Sequence, residues 1–356
     1  MPDADASAEL ARSYHPAKFY GRNGNPTVTQ FEDAIAALEG AEAALALASG
    51  MAAITNLVMS LCSPGDHLVA QGHTFSVTNQ LFTMVCPRFG IDVTFVDATD
   101  VDAVAAAVRP GQTQMVFVET PANPALALVD IAAIKARLAG PFLVVDGTFA
   151  PPPVQQAVSL GADLVVHAAT KGIAGHNDAT LGVIAGAADL VQMVWGYNLI
   201  AGAVASPFDA WNALRGVRTL HVRLRQQAES ALTLARFLEG EPAVSRVLYP
   251  GLESHPQHDL AVRQMTSGGT MVTIDLAGGL AAGKAFVERV QVAQLAASLG
   301  GPETLVTHPP TTTAATLLPE ERAAMGITDG MIRVSVGLEH ADDLVADFAQ
   351  ALAPLA

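Results

Sequence analysis

The sequence predicts an α/β fold in which a mainly parallel sheet lies between helices, with an arm before it and a smaller α+β unit after it. Three observations predict it. Helical patterns alternate with short β-branched runs from about residue 30 to 210. Those runs hold about four to six apolar residues each, as strands buried on both faces require. Past residue 212 the pattern changes to long helix, short strand, helix, strand and final helix. At 356 residues the chain is too long for one small core. The expected division is an arm over 1–30, a large α/β domain over 31–220 and an α+β domain over 221–356.

In chain order, residues 1–30 carry Tyr, Pro, Gly and Asn without hydrophobic periodicity. They read as an extended arm that needs a surface to lie on, such as a neighbouring subunit. "VTQFEDAIAALEGAEAALAL" reads as one helix and Gly50 opens the next. "HLVAQ", "VTFVD", "QMVFVE", "FLVVD", "ADLVVH" and "ATLGVIAG" read as the strands of the large domain. After "SPFDAWNALRGVRTLHVRLRQQAESALTLARFLEG", the strands are "MVTIDLAG" and "IRVSVGLE", with "GKAFVERV" a helix between them.

Composition excludes several classes of function. Hydrophobic residues make up 51% of the chain and mean hydropathy is +0.34, but the surplus is alanine spread along the sequence. No run approaches the roughly 18 apolar residues of a membrane span. The start, "MPDADASAELARSY", has acids where a signal peptide carries bases, so a cytoplasmic protein is expected. A net charge of -15 with no Lys/Arg cluster argues against nucleic acid as a partner. Cys62 and Cys86 form no disulfide framework and read as buried filler.

In parallel α/β sheets ligands bind beyond the carboxyl ends of the strands. The residues there are Glu119, Thr120 and Asn123, then Asp146, then His167, Thr170 and Lys171. A buried ammonium is costly unless paired or deprotonated. A strand-end lysine with a strand-end aspartate before it fits pyridoxal phosphate, whose aldehyde takes up a lysine and whose pyridinium pairs with a carboxylate. Taken singly, Asp146 reads more readily as a helix N-cap or turn carboxylate and Lys171 as a solvated strand end. "LASGMAAITNLV" sets Ser49, Gly50 and Met51 at a helix start, where backbone N–H groups bind phosphate, although a plain Ser-Gly cap has the same form.

The ordered motifs "YGRNGNPT", "ASGMAAI", "ETPANP", "VDGTFA", "GADLVVHAATK", "SPFDAW", "LRGVRTL", "YPGLESHPQH" and "IRVSVGLE" span residue 19 onward. In this the chain resembles the Cys/Met-metabolism family of fold-type-I PLP enzymes, which includes cystathionine γ-synthase, cystathionine γ- and β-lyase, methionine γ-lyase and O-acylhomoserine sulfhydrylase. The resemblance implies that Lys171 is the Schiff-base lysine and proton shuttle, Asp146 the pyridinium partner, and Gly50, Met51 and Thr170 the phosphate cup. It implies Asn123 near the cofactor's O3', Arg333 on the substrate α-carboxylate, and Ser298 at the substrate end of the site. Tyr20 and Arg22 would reach the phosphate of the neighbouring subunit in a homo-oligomer, typically a tetramer in this family.

Departures from the family pattern shape the expected substrate. Phe75 stands where the family has a tyrosine, keeping a ring to stack on the cofactor but losing a hydroxyl thought to act as general acid and base. Gly147, Ala168 and Gly172 replace the usual Asn, Ser and aromatic residue. No cysteine follows Phe75 by two positions, which argues for a relative of methionine γ-lyase with another substrate. The reaction expected is PLP-dependent γ-elimination or γ-replacement on a γ-substituted amino acid. β-Elimination of the cystathionine β-lyase type is the alternative, and a non-catalytic binding module a more distant one. "GGLAAGKA" matches a phosphate-loop pattern but has Ala285 where a Ser or Thr is needed. His255 and His258 lack the further ligands of a zinc site, so no metal is expected.

Overall fold

A computed structural model describes residues 3–315, 318–324 and 326–355. Its first sheet contains β1 (Ala43–Leu47), β2 (His67–Gln71), β3 (Asp92–Val96), β4 (Thr113–Glu119), β5 (Phe142–Asp146), β6 (Leu164–His167) and β7 (Gly182–Gly186). The spatial order is β1-β7-β6-β5-β4-β2-β3. Strands β3, β2, β4, β5 and β6 pair in parallel, while β7 and β1 add an antiparallel edge. Side chains alternate between two buried layers, with Val116, Val145 and Val165 in one and Phe117, Val144 and Val166 in the other. This alternation is why the strands read as unbroken apolar runs.

The second sheet contains β8 (Val244–Leu248), β9 (Met271–Leu276), β10 (Gln294–Leu295), β11 (Leu305–Thr307) and β12 (Met331–Ser335), in the order β10-β11-β12-β9-β8. All its pairings are antiparallel except β10 with β11. Its apolar face packs Val272, Ile274, Ile332 and Val334 with Phe286 and Phe348, whose rings meet edge to face at 5.2 Å. The helix Leu220–Glu239 precedes this sheet.

Two expectations are corrected. The single helix read over 28–47 is a helix and a strand. Helix α2, preceded by α1 (Ala4–Arg12), spans Pro26–Glu39, is capped by the Asn25 side chain, and stops at Gly40 with φ 68°. Residues 43–47 then pair with β7. Their Ala/Leu composition favours helix, but a ladder partner overrides so weak a preference. The arm is not wholly extended either: Asp3 caps α1, none of whose residues is buried.

Glu32 on α2 is only 3% exposed, and its Oε1 accepts from Ala46 N at 2.8 Å. His15 Nδ1 lies 3.6 Å from its Oε2. Burial pushes Glu32 up to about 8 and lowers His15, so both are neutral near pH 7. The folded state therefore binds a proton that the unfolded chain has released above the ordinary glutamate value of about 4.3. That stabilisation is complete below about 4.3 and is lost as pH rises through about 8. The melting temperature of the cofactor-free protein should fall across this window, and Glu32→Gln should flatten part of the fall in a pH series of thermal melts.

Cys62 and Cys86 are buried free thiols. Among the described residues no helix is long and apolar enough to cross a membrane, and no three His, Cys, Asp or Glu side chains group as metal ligands.

Candidate active site

The carboxyl ends of β2, β4, β5 and β6 open into one cavity of about 390 Å³, within the usual range for small-molecule sites. The strand register places Glu119 opposite Asp146, each the last residue of its strand. Helix α3 (Gly50–Leu61) starts at the cavity, with Ser49 as its N-cap accepting from Ala52 N at 3.0 Å. Gly50 and Met51 line the cavity, and their N–H groups belong to the first turn, which has no intrahelical acceptors. A Cβ on Gly50 would lie 2.7 Å from that of Ala168, so the helix start is pressed against the chain leading to Lys171.

Asp146 is buried, and its Oδ1 accepts from Thr148 N (3.0 Å) and Thr148 Oγ1 (2.6 Å). Its Oδ2 has no hydrogen-bond partner among the described residues. Burial raises the Asp146 pKa, against the pull of the two Thr148 bonds. A buried carboxylate with one uncommitted oxygen is suited to a cationic ring nitrogen.

Lys171 Nζ donates to Ser298 Oγ at 2.8 Å and makes no ion pair among the described residues. Its pKa is lowered, first by burial and then by the positive charge of Arg333. The turn that carries it is held from behind. Arg223, 4% exposed, donates to Gly172 O (2.9 Å), Ile173 O (3.2 Å) and Gly216 O (2.9 Å). Ser298 itself has φ 95°, a strained conformation for a residue with a Cβ.

Arg333 reaches the cavity from β12 in the second sheet. It donates to Asn123 Oδ1 and Ser298 O, both at 3.1 Å, and to Thr307 Oγ1 at 3.4 Å. Its Nε is buried without a partner, and every acceptor it has is neutral. Burial pulls its pKa down to about 10, which leaves it charged at neutral pH. Glu119 supports its charge only through space, and a buried cation whose hydrogen-bond acceptors are all neutral suits an anionic ligand.

Of the residues expected from the sequence, Ser49, Gly50, Met51, Phe75 and Asn123 share the cavity with Asp146, Thr170, Lys171, Ser298 and Arg333. Tyr20 and Arg22 do not line it. Tyr20 is exposed and Arg22 Nη1 donates to Leu199 O of the same chain at 2.6 Å. The Thr170 hydroxyl accepts from Leu181 N (2.9 Å) and donates to Leu181 O (3.2 Å), so its hydrogen is already engaged. The start of α3 and Ser49 are left as donors for an anion.

The sequence places Glu119 at a strand end beside the site but assigns it no role, and it does not single out Thr148 or Arg223. Nothing local marks Arg223, whose acceptors lie up to 51 positions away.

The sequence model of the Cys/Met metabolism PLP-dependent enzymes matches residues 3–353. An O-succinylhomoserine sulfhydrylase of Pseudomonas aeruginosa is 47% identical over 99% of this chain and 87% of that enzyme. An L-methionine gamma-lyase of Pseudomonas putida is 41% identical, over 99% of this chain and 89% of its own. The crystal structure of metB from Corynebacterium glutamicum superposes with a TM-score of 0.91 at 38% identity, covering 97% of this chain and 90% of that one.

Proposed function

The chain belongs to the Cys/Met metabolism PLP-dependent enzymes, and from that premise we propose that it catalyses γ-elimination or γ-replacement on a γ-substituted amino acid. Bound pyridoxal phosphate supplies an aldehyde that takes up amines and a ring that accepts the electrons of a carbanion. The observation that carries the reading is Arg333, a buried cation without an ion-pair partner that shares Ser298 with Lys171. Arg333 grips the α-carboxylate, and Lys171 then moves protons at the substrate carbons next to it. The depressed lysine pKa favours the neutral amine that such transfer needs. Asp146 would pair with the ring nitrogen, Asn123 would lie beside the ring, and Ser49, Gly50, Met51 and Thr170 would hold the phosphate. Tyr20 and Arg22 serve the cavity of a second copy, which their position outside their own cavity supports. The working unit is then a homo-oligomer, a tetramer by family habit, in the cytoplasm. We take the chain as arm (1–30), large domain (31–220) and C-terminal domain (221–356), a division supported by the two separate sheets.

Among the described residues, the ionisable groups lining the cavity are Glu119, Asp146, Lys171 and Arg333, and Phe75 brings a ring without a hydroxyl. The substrates that suit this site carry a γ-substituent that departs as a stable anion, such as carboxylate, phosphate or halide. Incubation with homoserine esters, γ-halogenated amino acids, cystathionine and methionine, with mass detection, tests this. A four-carbon 2-oxo acid or a γ-substituted product is expected, and pyruvate from cystathionine as the main product overturns the γ-carbon assignment. General acid catalysis is worth about 10²–10⁴-fold, so Phe75→Tyr should raise thioether cleavage at least about tenfold more than ester cleavage. A wild type that cleaves thioethers as well as esters refutes this view of Phe75.

A further inference from the structure

Glu119 is a cavity-lining carboxylate, 4% exposed, that the reaction above does not use. Its two oxygens accept from two different backbone segments. Oε2 accepts from Phe75 N at 2.7 Å and Oε1 from Asn123 N at 2.8 Å. Its own backbone is fixed in turn, because Glu119 N donates to Gln71 Oε1 at 2.9 Å. From Asn123 the path continues through Oδ1 to Arg333 Nη1, and from Arg333 Nη2 to Ser298 O, the residue that holds Lys171. Burial, and then the neighbouring Asp146, raise the Glu119 pKa, while the two N–H groups and Arg333 pull it back down. A methionine or leucine would fill the same space without that cost, but could not hold both segments.

We propose that Glu119 is a positioning residue: it fixes the spacing between the segment bearing Phe75 and the segment bearing Asn123, and through Asn123 it aims the Arg333 guanidinium. The inference rests on the proposed function, since the ring and the substrate carboxylate are what this spacing would serve. Phe75 and Asn123 come from the loops after β2 and β4, and neither loop bonds the other's site residue directly among the described residues. One carboxylate therefore sets both.

The test compares wild type, Glu119→Gln and Glu119→Asp, each saturated with pyridoxal phosphate. Gln offers one acceptor and opposes the other N–H with a donor; Asp keeps the carboxyl group but is one methylene too short to reach both. For both variants the visible circular dichroism per bound cofactor is expected to change at least about twofold, and KM to rise about tenfold with a smaller change in kcat. Melting of the cofactor-free proteins provides the readout independent of activity and should differ little. Wild-type dichroism and KM in folded, saturated Glu119→Gln overturn the proposal, as does a loss of melting temperature alone. Wild-type behaviour of Glu119→Asp overturns it too, because a carboxyl group without the reach to both segments would then suffice. If Glu119→Gln does not fold, Glu119→Asp decides by the same readings. A wild type that takes up no cofactor sinks the proposed function and this inference with it; an unaltered variant of a loaded wild type sinks only the inference.

Discussion

Lys171→Ala is expected to give a folded protein that no longer carries covalently reducible cofactor and whose turnover is at least about 10⁴-fold lower, since it loses both the attachment point and the base. The fold should not suffer. The turn at 171 is held by backbone, with Lys171 N donating to Ala168 O and Gly175 N to Lys171 O, and by Arg223 behind it. Alanine keeps all of these bonds. Because the folded-state pKa of Lys171 is lowered, protonating the amine costs folded stability at every pH below that value, and stability recovers as pH rises toward the ordinary lysine range. The cofactor-free alanine variant should thus melt at or above the wild type at pH 7. Borohydride reduction of loaded protein followed by peptide mapping checks the attachment, and a label on any other lysine refutes it. Lys171→Arg should fail equally, since guanidinium neither condenses usefully nor deprotonates.

The second large effect is expected at Arg333. Arg333→Leu should lower kcat/KM about 10²–10³-fold, mostly through KM, which is the scale for removing one partner of a buried, hydrogen-bonded charge pair. Lysine should restore little, because one ammonium cannot reach Asn123 Oδ1, Ser298 O and a carboxylate together. The discriminating measurement uses an amine analogue of the substrate without its carboxylate. Wild type and Arg333→Leu should handle that analogue alike. An equal loss on both compounds would mean that Arg333 shapes the cavity and does not grip the substrate.

Much of the fold and of the site is legible in the sequence, for physical reasons. Strands buried on both faces leave apolar runs, and a parallel sheet gathers the residues after each run at one edge, so Asp146 and Lys171 stand out together. Where composition misleads, at 43–47, an alanine-rich segment becomes a strand because β7 offers it a ladder. Arg333 and Ser298 are reached through resemblance alone. Their meeting with Asn123 and Lys171 depends on how the second sheet docks, which no local pattern encodes. Glu119 is visible as a strand-end residue, but its work is done on backbone N–H groups, which leave no trace in side-chain identity.

The site's hydrogen bonds also imply an order of assembly. Residues 49–171 contain the start of α3, Asp146 and Lys171, all gathered around the first sheet. By contrast, Lys171 to Ser298 spans 127 positions and Arg333 to Asn123 spans 210. Contacts so distant along the chain form late, because the entropy of closing the loop is lost before any contact offsets it. A refolding chain should therefore acquire a cradle for the cofactor before it acquires a hold on the substrate. Intermediates in that interval would bind pyridoxal phosphate and do no chemistry on an amino acid, so recovery of cofactor binding would run ahead of recovery of turnover.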